Sequence, residues 1–221
     1  MRHATRRLRG AFLVATLLSL MMAVFVSGTA SAAPRKPVSH PHLLFVTWND
    51  LSQLMHHSRT SPTVNPSNPV VCYIIHIHSD ANGLDTAAEL AFTGDEYGLL
   101  RARTNPAQDG GWERFRECQD QVTRIMTLQS LANNDYVSTE LGGVGTEYAR
   151  LRARATSVGP WEQYYVQQGF ASNEINIISA ANNLCVAAEL GGVGNQYARL
   201  RARTPCNQTG PWEQFVFNVT S

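Results

Sequence analysis

Two histidines lie two residues apart in the stretch YIIHIHS, a spacing that places both imidazoles on the same side of a β-strand. Imidazole nitrogens are ligands that zinc and other transition metals use in proteins. The residues at the same places in two later copies of this segment are largely polar, so we expect His76 and His78 to face outward. Because no third ligand can be identified, the sequence predicts no metal site and no cofactor.

Side chains for covalent or acid–base catalysis do not form a recognisable set. The chain has no nucleophile elbow and no cysteine–histidine pair with a known spacing. The GGVG stretches at Gly142 and Gly191 lack a following Gly-Lys-Ser/Thr, so they predict turns and not phosphate loops. The best-placed carboxylates recur three times, which favours a scaffold role over glycosidase chemistry. We therefore expect a protein that is not an enzyme, with a glycan-active enzyme as the minor alternative.

The chain contains one unit three times. ELGGVGTEYARLRAR begins at Glu140, ELGGVGNQYARLRAR at Glu189 and the more divergent ELAFTGDEYGLLRAR at Glu89. A period of about 50 residues indicates a repeat architecture, in which no unit buries its apolar face alone. Three copies without atypical terminal repeats predict a closed threefold object.

Each unit divides into four short strands. The apolar residues that alternate with polar ones predict two inward pairs per unit, one on the first strand and one on the third. These pairs are Ile75 and Ile77, Met126 and Leu128, Ile175 and Ile177 on the first strands, and Leu100 and Ala102, Leu151 and Ala153, Leu200 and Ala202 on the third strands. Asn82-Gly83, Asn133-Asn134 and Asn182-Asn183 predict tight hairpin turns after the first strands.

Charged and aromatic residues recur at equivalent places, which favours a structural role. Arginines on the third strands are expected to face outward, in cross-strand ion pairs with the repeated glutamates worth ~0.2–1 kcal/mol each. These residues are Arg101, Arg103, Arg152, Arg154, Arg201 and Arg203, with Glu89, Glu140 and Glu189 and with Glu113, Glu162 and Glu213. The repeated Trp112, Trp161 and Trp212 are expected in the core. Since Trp112 and Phe115 are three apart, either the tryptophan closes the preceding turn or a bulge lies between the two residues.

Twelve strands in three pseudo-symmetric four-stranded repeats predict an all-β chain with the β-trefoil fold. The expected repeat boundaries are 71–120, 121–170 and 171–221. The motifs S-x-A-N, Tyr-x-x-L-R-A-R and G-x-W-E-x-[FY] resemble the fascin-like, or actin-crosslinking-like, branch of the β-trefoils, over residues 71–218. That resemblance implies either an actin bundler built from several trefoils or a single trefoil attached to a secreted bacterial carbohydrate-active enzyme. No actin-binding residue is carried over, because this chain has one trefoil and an export signal.

The amino-terminal residues have the pattern of a signal peptide. Arg2, Arg6, Arg7 and Arg9 precede an apolar run, and Ala30-Ser31-Ala32 fits the cleavage rule, so residues 1–32 are expected to be removed.

Residues 33–70 are rich in Pro, Ser and His and predict a linker with one possible short helix at Leu51 to Met55. The mature chain then has a net charge of 14 − 17 = −3, without the basic stripe of a nucleic-acid-binding protein. We expect a bacterial, secreted monomer without a membrane span.

All four cysteines lie in the mature chain, where an oxidising compartment favours disulfides. Three pairings are possible. In a trefoil the first and fourth strands of one unit are neighbours, which favours Cys72 with Cys118. Cys185 is on the second strand of repeat three and Cys206 is in the loop after its third strand, which favours a bond between them. Pairing between repeats one and three is the alternative.

The differences between repeats are the places where function is expected. Asp85, Tyr136 and Cys185 occupy one equivalent position, and the loop before Trp161 is two residues shorter than the other two. An aromatic face beside hydrogen-bonding groups is typical of a glycan site, so Asp135, Tyr136 and Tyr148 are the candidate ligand residues. Fold-level analogy favours a non-catalytic module that binds a glycan or cell-surface polymer. A protein-directed inhibitor or envelope interaction protein is the alternative.

The signal-peptide assignment predicts the first residue of the exported protein. Mass spectrometry of protein recovered from the culture medium or periplasm should find an amino terminus at Ala33. A membrane-retained product that begins at Met1 would contradict the assignment.

Overall fold

The computed structural model describes residues 69–220, which form twelve β-strands and no α-helix. The strands are β1 (Val70–Ser79), β2 (Leu84–Glu89), β3 (Leu99–Thr104), β4 (Phe115–Asp120), β5 (Met126–Ser130), β6 (Tyr136–Glu140), β7 (Arg150–Ala155), β8 (Tyr164–Gln168), β9 (Ile175–Ser179), β10 (Leu184–Glu189), β11 (Arg199–Thr204) and β12 (Phe215–Val219). The predicted signal peptide, nearly all of the predicted linker and its helix lie outside the described residues. Within 69–220, no helix is long and apolar enough to span a membrane.

Six of the strands close into a barrel. β1 pairs with β4 and β12, β5 pairs with β4 and β8, and β9 pairs with β8 and β12, all antiparallel. The other six strands form the hairpins β2–β3, β6–β7 and β10–β11. The second strand of each hairpin pairs with those of the other two, at β3–β7, β7–β11 and β11–β3. We call these three hairpins the cap. A six-stranded barrel with a three-hairpin cap is the β-trefoil fold, so the predicted fold class is confirmed.

The inward pairs predicted from strand alternation are all buried, on the barrel strands and on the cap strands alike. Phe115, Tyr164 and Phe215 begin the fourth strands and are also fully buried, one from each repeat. The predicted tight turns are present too, because Gly83, Asn134 and Asn183 have φ values of 67°, 61° and 57°. Glycine and asparagine tolerate this left-handed region at low cost, which explains their recurrence after each first strand.

The first arginine of each LRAR motif is buried, so the prediction of an outward position was wrong. Arg101 is 1 % exposed, and Arg152 and Arg201 are almost equally covered. The prediction from strand alternation assumes that the face of the sheet opposite the core is exposed to solvent. In the cap, three hairpins pack around a common axis, and the face opposite the core meets the neighbouring repeat instead.

Two of these buried arginines bind the preceding repeat. Arg152 donates from Nε to the Tyr97 carbonyl and from Nη2 to the Gly94 carbonyl, both at 2.8 Å. Arg201 makes the equivalent bonds to the carbonyls of Tyr148 and Gly145, at 2.8 and 2.6 Å. Each guanidinium therefore satisfies the carbonyls at both ends of a short turn in another repeat, which a surface ion pair would not do.

The backbone links the repeats in the same sense. The amides of Ala102, Ala153 and Ala202 donate to the carbonyls of Ala198, Gly98 and Ala149, at 2.7 to 2.9 Å. The three acceptor residues have positive φ, although two of them are alanines. A positive φ is uncommon for alanine, so these contacts hold the backbone in a conformation that local preference disfavours.

One fully buried arginine bridges all three repeats. Arg199 of repeat three donates from Nη1 to Glu147 Oε1 of repeat two at 2.8 Å, and from Nη2 to Glu96 Oε1 of repeat one at 2.9 Å. Its Nε donates to the Asn195 carbonyl at 2.9 Å. Loss of this guanidinium would leave Glu96 without its cation and would leave Glu147 with Arg150 alone.

The repeated glutamates form the ion pairs that the sequence predicts. Glu89, Glu140 and Glu189 contact Arg103, Arg154 and Arg203, respectively, on the adjacent strand. Each glutamate also binds the buried arginine of its own repeat, for example through Arg101 Nε and Glu89 Oε1 at 3.0 Å. In repeats one and three the glutamate is thus shared between one buried and one half-exposed arginine, and in repeat two Glu140 binds a second buried arginine, Arg150, as well.

Both predicted disulfides are confirmed. Cys72 and Cys118 are register partners on β1 and β4, with Cα atoms 4.1 Å apart. Cys185 of β10 is bonded to Cys206 in the loop between β11 and β12, with a Cα separation of 5.2 Å. The first bond reinforces a barrel pair, and the second attaches a loop of repeat three to its cap hairpin.

A carboxyl group interrupts the symmetry of the barrel core. Glu117 of β4 is fully buried where β8 has Val166 and β12 has Phe217, and its carboxyl oxygens have no hydrogen-bond partner within residues 69–220. Burial raises the pKa of Glu117 from its ordinary 4.5 to about 8. The native protein therefore holds a proton on Glu117 at neutral pH.

This buried carboxyl predicts a specific pH dependence of stability. Between about pH 4.5 and 8 the unfolded chain releases the Glu117 proton while the folded chain keeps it, so stability falls with rising pH by about 1.4 kcal/mol per unit from this group. Glu117→Gln removes the titration. Denaturant unfolding at several pH values should show the variant gaining on the wild type as pH rises through that window. A constant difference between the two proteins across the window would contradict the expectation.

Candidate binding site

The three repeated tryptophans stand on the surface, so their predicted place in the core was wrong. Trp112, Trp161 and Trp212 are 43 %, 46 % and 52 % exposed. Trp161 and Trp212 lie in short 3₁₀ turns just before the fourth strand, which agrees with the alternative that the tryptophan closes the turn. The aromatic residue three positions later fills the core instead. The fold thus displays one indole ring per repeat.

The glutamate after each tryptophan holds the turn in this form. Glu213 accepts hydrogen bonds from the Gly210 amide at 2.7 Å and from Thr204 Oγ1 at 2.8 Å. Glu113 makes the equivalent bonds in repeat one, and Glu162 accepts from the Gly159 amide in repeat two. The sequence placed Glu113 among the cross-strand ion pairs, whereas the structure gives it these backbone and hydroxyl partners. Because the carboxylate points into the loop, the indole beside it is directed outward.

A pocket of about 490 Å³ opens beside Trp212 in repeat three. Its lining combines the indole with two prolines, an amide and an ion pair: Trp212, Pro205, Pro211, Gln208, Arg203 and Glu189. The Arg203 side chain is half-exposed and contacts Glu189. An exposed aromatic face next to a few convergent polar groups is the usual composition of a site for a small, polar organic ligand such as a sugar.

The pocket wall is fixed by covalent and polar bonds. The Cys185–Cys206 disulfide anchors the loop that contributes Pro205 and Gln208. Within this loop the Gln208 amide donates to the Pro205 carbonyl at 2.8 Å. A wall that is already ordered loses little conformational freedom when a ligand binds, which favours affinity.

Repeats one and two carry the same three residue types in different surroundings. Trp161 has Arg154 and Glu140 at the equivalent places, but the loop before it is two residues shorter and contains no cysteine. Trp112 has Arg103 and Glu89 and a loop of full length. The threefold set of tryptophan, arginine and glutamate is therefore common to the repeats, and the disulfide-anchored loop is particular to repeat three.

The residues that the sequence selected for ligand binding do not meet as a group. Asp135 lies in the hairpin turn, where it accepts a hydrogen bond from Asn133 Nδ2 at 3.0 Å, and Tyr136 follows at the start of β6. The tyrosine near this turn is Tyr97 of repeat one, whose hydroxyl is 3.4 Å from Asn133 Nδ2. Tyr148 packs against the core, and its carbonyl accepts the bond from Arg201 of repeat three. The carbonyls of Tyr97 and Tyr148 thus both bind the following repeat.

A second polar cluster lies in repeat one and contains both strand histidines. His78 Nδ1 is 2.6 Å from Asp85 Oδ1, and His76 Nδ1 is 2.5 Å from Asp109 Oδ2 and 3.8 Å from Asp85 Oδ2. The hydrogen bond to Asp85 raises the pKa of His78, while burial and the neighbouring Asp85 carboxylate raise the pKa of Asp109 to about 7. Sequence reasoning missed both aspartates as partners. Asp85 was visible as a break in the repeat, but Asp109 is distant along the chain.

The fold is shared with solved structures of very different sequence. A designed threefold symmetric protein, ThreeFoil, is 13 % identical with a TM-score of 0.54, covering 67 % of this chain and 99 % of that one. The BEL β-trefoil is 11 % identical with a TM-score of 0.52, covering 73 % and 98 %. A GlcNAcα1-4Gal-releasing endo-β-galactosidase from Clostridium perfringens is 7 % identical with a TM-score of 0.52, covering 67 % of this chain and 33 % of the enzyme. No protein-family model and no curated protein sequence matches the chain.

The role of Glu213 can be tested by stability and fluorescence. Glu213→Ala should remove two hydrogen bonds from a buried carboxylate and leave the Gly210 amide and Thr204 hydroxyl without their acceptor, a loss of about 1–3 kcal/mol. We expect a lower unfolding midpoint and a shifted tryptophan emission.

Glu174→Ala is the matched control, because Glu174 also accepts a backbone amide bond, from Ala171, but in an exposed turn. It should cost under about 1 kcal/mol. Equal losses in the two variants would show that the Glu213 carboxylate does not hold the tryptophan turn.

Proposed function

We propose that this chain is a secreted, non-catalytic binding module that recognises a glycan or another cell-surface polymer through the Trp212 pocket. The observation that carries the proposal is the half-exposed indole at an ordered pocket of about 490 Å³, beside Arg203 and Gln208. Sugar rings present apolar faces that stack on an indole and hydroxyls that hydrogen-bond to guanidinium and amide groups. The pocket provides both kinds of group, the indole of Trp212 and the polar groups of Arg203 and Gln208.

Four further observations support the proposal. The indole ring recurs in all three repeats, so a polymer with repeated sugars has more than one place to bind, and weak sites together give useful avidity. Two disulfides are typical of proteins in an oxidising compartment, which favours secretion. One structural neighbour is an enzyme that acts on galactosides, and the matched fold is a third of that enzyme. The fascin-like resemblance of the sequence motifs points to the same class of accessory module.

Binding without turnover is the first property to test. The full mature protein should be incubated with insoluble polysaccharides and on a glycan array, and should be retained by at least one class of glycan. Reducing ends should not increase over a heat-inactivated control. Sustained release of sugar would contradict the non-catalytic assignment.

The pocket itself is tested by tryptophan variants. Trp212→Ala should weaken binding at least tenfold, because stacking on an aromatic face is worth ~1.4 kcal/mol or more in a desolvated site. Trp161→Ala is the matched control, since it removes an indole of similar exposure from a turn without the disulfide-anchored loop, and it should cost much less. Equal losses in both variants would show that recognition depends on the repeated indoles and not on the pocket of repeat three, and unchanged binding by Trp212→Ala would overturn the pocket assignment.

A protein-directed role is the second candidate, and one observation favours it. Val144 and Val193 are more than four-fifths exposed at equivalent positions in the turns before β7 and β11. Exposed apolar side chains at matched positions are suited to a contact with another protein. A glycan array without any binding, together with loss of a captured protein partner in Val144→Ser or Val193→Ser, would favour this role over the glycan module.

A further inference from the structure

The cluster in repeat one has the composition of a cation site. It brings an imidazole nitrogen and two carboxylates together: one ligand atom each from His76, Asp85 and Asp109 lie within 4.8 Å of one another. Two ligand atoms on one tetrahedral zinc ion lie about 3.4 Å apart, as follows from bond lengths near 2.1 Å. Adjustments of about an ångström at the side chains would therefore accommodate an ion.

Two buried polar atoms of the cluster also lack hydrogen-bond partners among the described residues. The Asp85 side chain is 3 % exposed and that of Asp109 is 11 % exposed, and they lie against the same imidazole. Asp109 Oδ1 and His76 Nε2 are buried and have no hydrogen-bond partner within residues 69–220. Two covered carboxylates side by side repel each other, and a divalent cation would neutralise both.

The surroundings of the cluster are acidic. The negative charge of Asp80 interacts with His78, and that of Glu113 interacts with Asp109. The four acidic residues near the histidines thus favour a cation over an anion. His78 is bonded to Asp85 Oδ1 and orients this carboxylate, as histidine and carboxylate groups around metal ligands commonly do.

The other repeats indicate what the cluster does. In repeat three, the position of Asp85 is occupied by Cys185, and Cys185 is bonded to Cys206 in the loop that corresponds to the Asp109 loop. These two loops have the same length. In repeat two the equivalent residue is Tyr136, and the loop is two residues shorter. Both repeats with a long loop therefore attach it to a strand, in repeat three to β10 through the disulfide and in repeat one to β1 through His76 and Asp109.

We propose that His76, Asp85 and Asp109 bind one divalent metal ion, and that this ion fastens the β3–β4 loop to β2 as the disulfide fastens the β11–β12 loop to β10. One nitrogen and two oxygen ligands suit zinc, which binds imidazole and carboxylate groups and accepts water at its fourth position. Calcium prefers six or more oxygen ligands and fits this set poorly. Zinc is therefore the probe of choice.

The test uses the full mature protein after removal of metal with a chelator. Zinc should bind in a saturable step of one ion per chain, and a hundredfold excess over Kd should raise Tm by about 5–10 °C. Calcium at the same concentration should raise Tm by much less. A Tm that does not respond to zinc, or that responds more to calcium, would overturn the proposal.

Variants locate the site. Asp109→Asn and His76→Gln should each weaken the stoichiometric zinc step at least tenfold and abolish most of the Tm rise. Asp80→Asn is the matched control, because it removes a nearby exposed charge outside the ligand set and should keep the response. The linker histidines His40, His42, His56 and His57 are unchanged in all variants, so their contribution cancels in the comparison. Zinc binding by Asp109→Asn that equals that of the wild type would refute the site.

Cobalt gives a second readout that does not depend on stability. Cobalt bound to an imidazole nitrogen in a four-coordinate site gives visible absorption bands, and these should appear with the wild type and Asp80→Asn. They should be lost with His76→Gln, whose circular dichroism would show whether it is folded. Bands of equal strength in folded His76→Gln would exclude this imidazole as a ligand.

Discussion

The structure depends on one constraint, which is that no repeat satisfies all of its own buried polar groups. The guanidinium groups of Arg152 and Arg201 find their carbonyl partners in the preceding repeat, and the cap amides donate across the same boundaries. Arg199 extends this dependence to all three units through Glu96 and Glu147. An unpaired buried donor costs about 1–3 kcal/mol, so a cap with one hairpin displaced would lose several such bonds together. Closure is therefore a requirement of the hydrogen bonds as well as of the apolar core.

Most of the fold could be predicted from the alternation of apolar residues, the residue types of the turns and the threefold repeat. The inward pairs such as Ile75 and Ile77, the positive-φ turns and both disulfides follow from local spacing combined with threefold order. The errors arose where burial has a long-range cause. Arg101 alternates like a surface residue, but it is buried where β3 pairs with β11 of repeat three. Trp112 has the residue type of a core position, but the carboxylate of the next residue holds its turn outward.

The candidate sites were harder to predict because they lie where symmetry is broken. Of the selected residues, Tyr148 belongs to the scaffold, since its carbonyl binds Arg201 as the Tyr97 carbonyl binds Arg152, and Asp135 is engaged by Asn133 within its own hairpin turn. The Trp212 pocket and the histidine cluster instead depend on the loop between the third and fourth strands. That loop varies in length and in the residues that attach it, as Cys206 and Asp109 show. A single sequence reveals such differences but does not show which distant side chains they approach.

The pairing of β1 with β12 has a consequence for how the domain can be joined to other proteins. Because Ile75 is the register partner of Val219, the chain enters and leaves the trefoil through neighbouring strands. The strand pairs form a closed circle although the chain has two ends. The hydrogen bonds between the repeats do not depend on which repeat comes first in the sequence. A gene rearrangement could therefore join the two ends and cut the chain between β4 and β5 with every strand pair preserved. By the same geometry, the domain can be inserted within a host protein as readily as it can be appended to one.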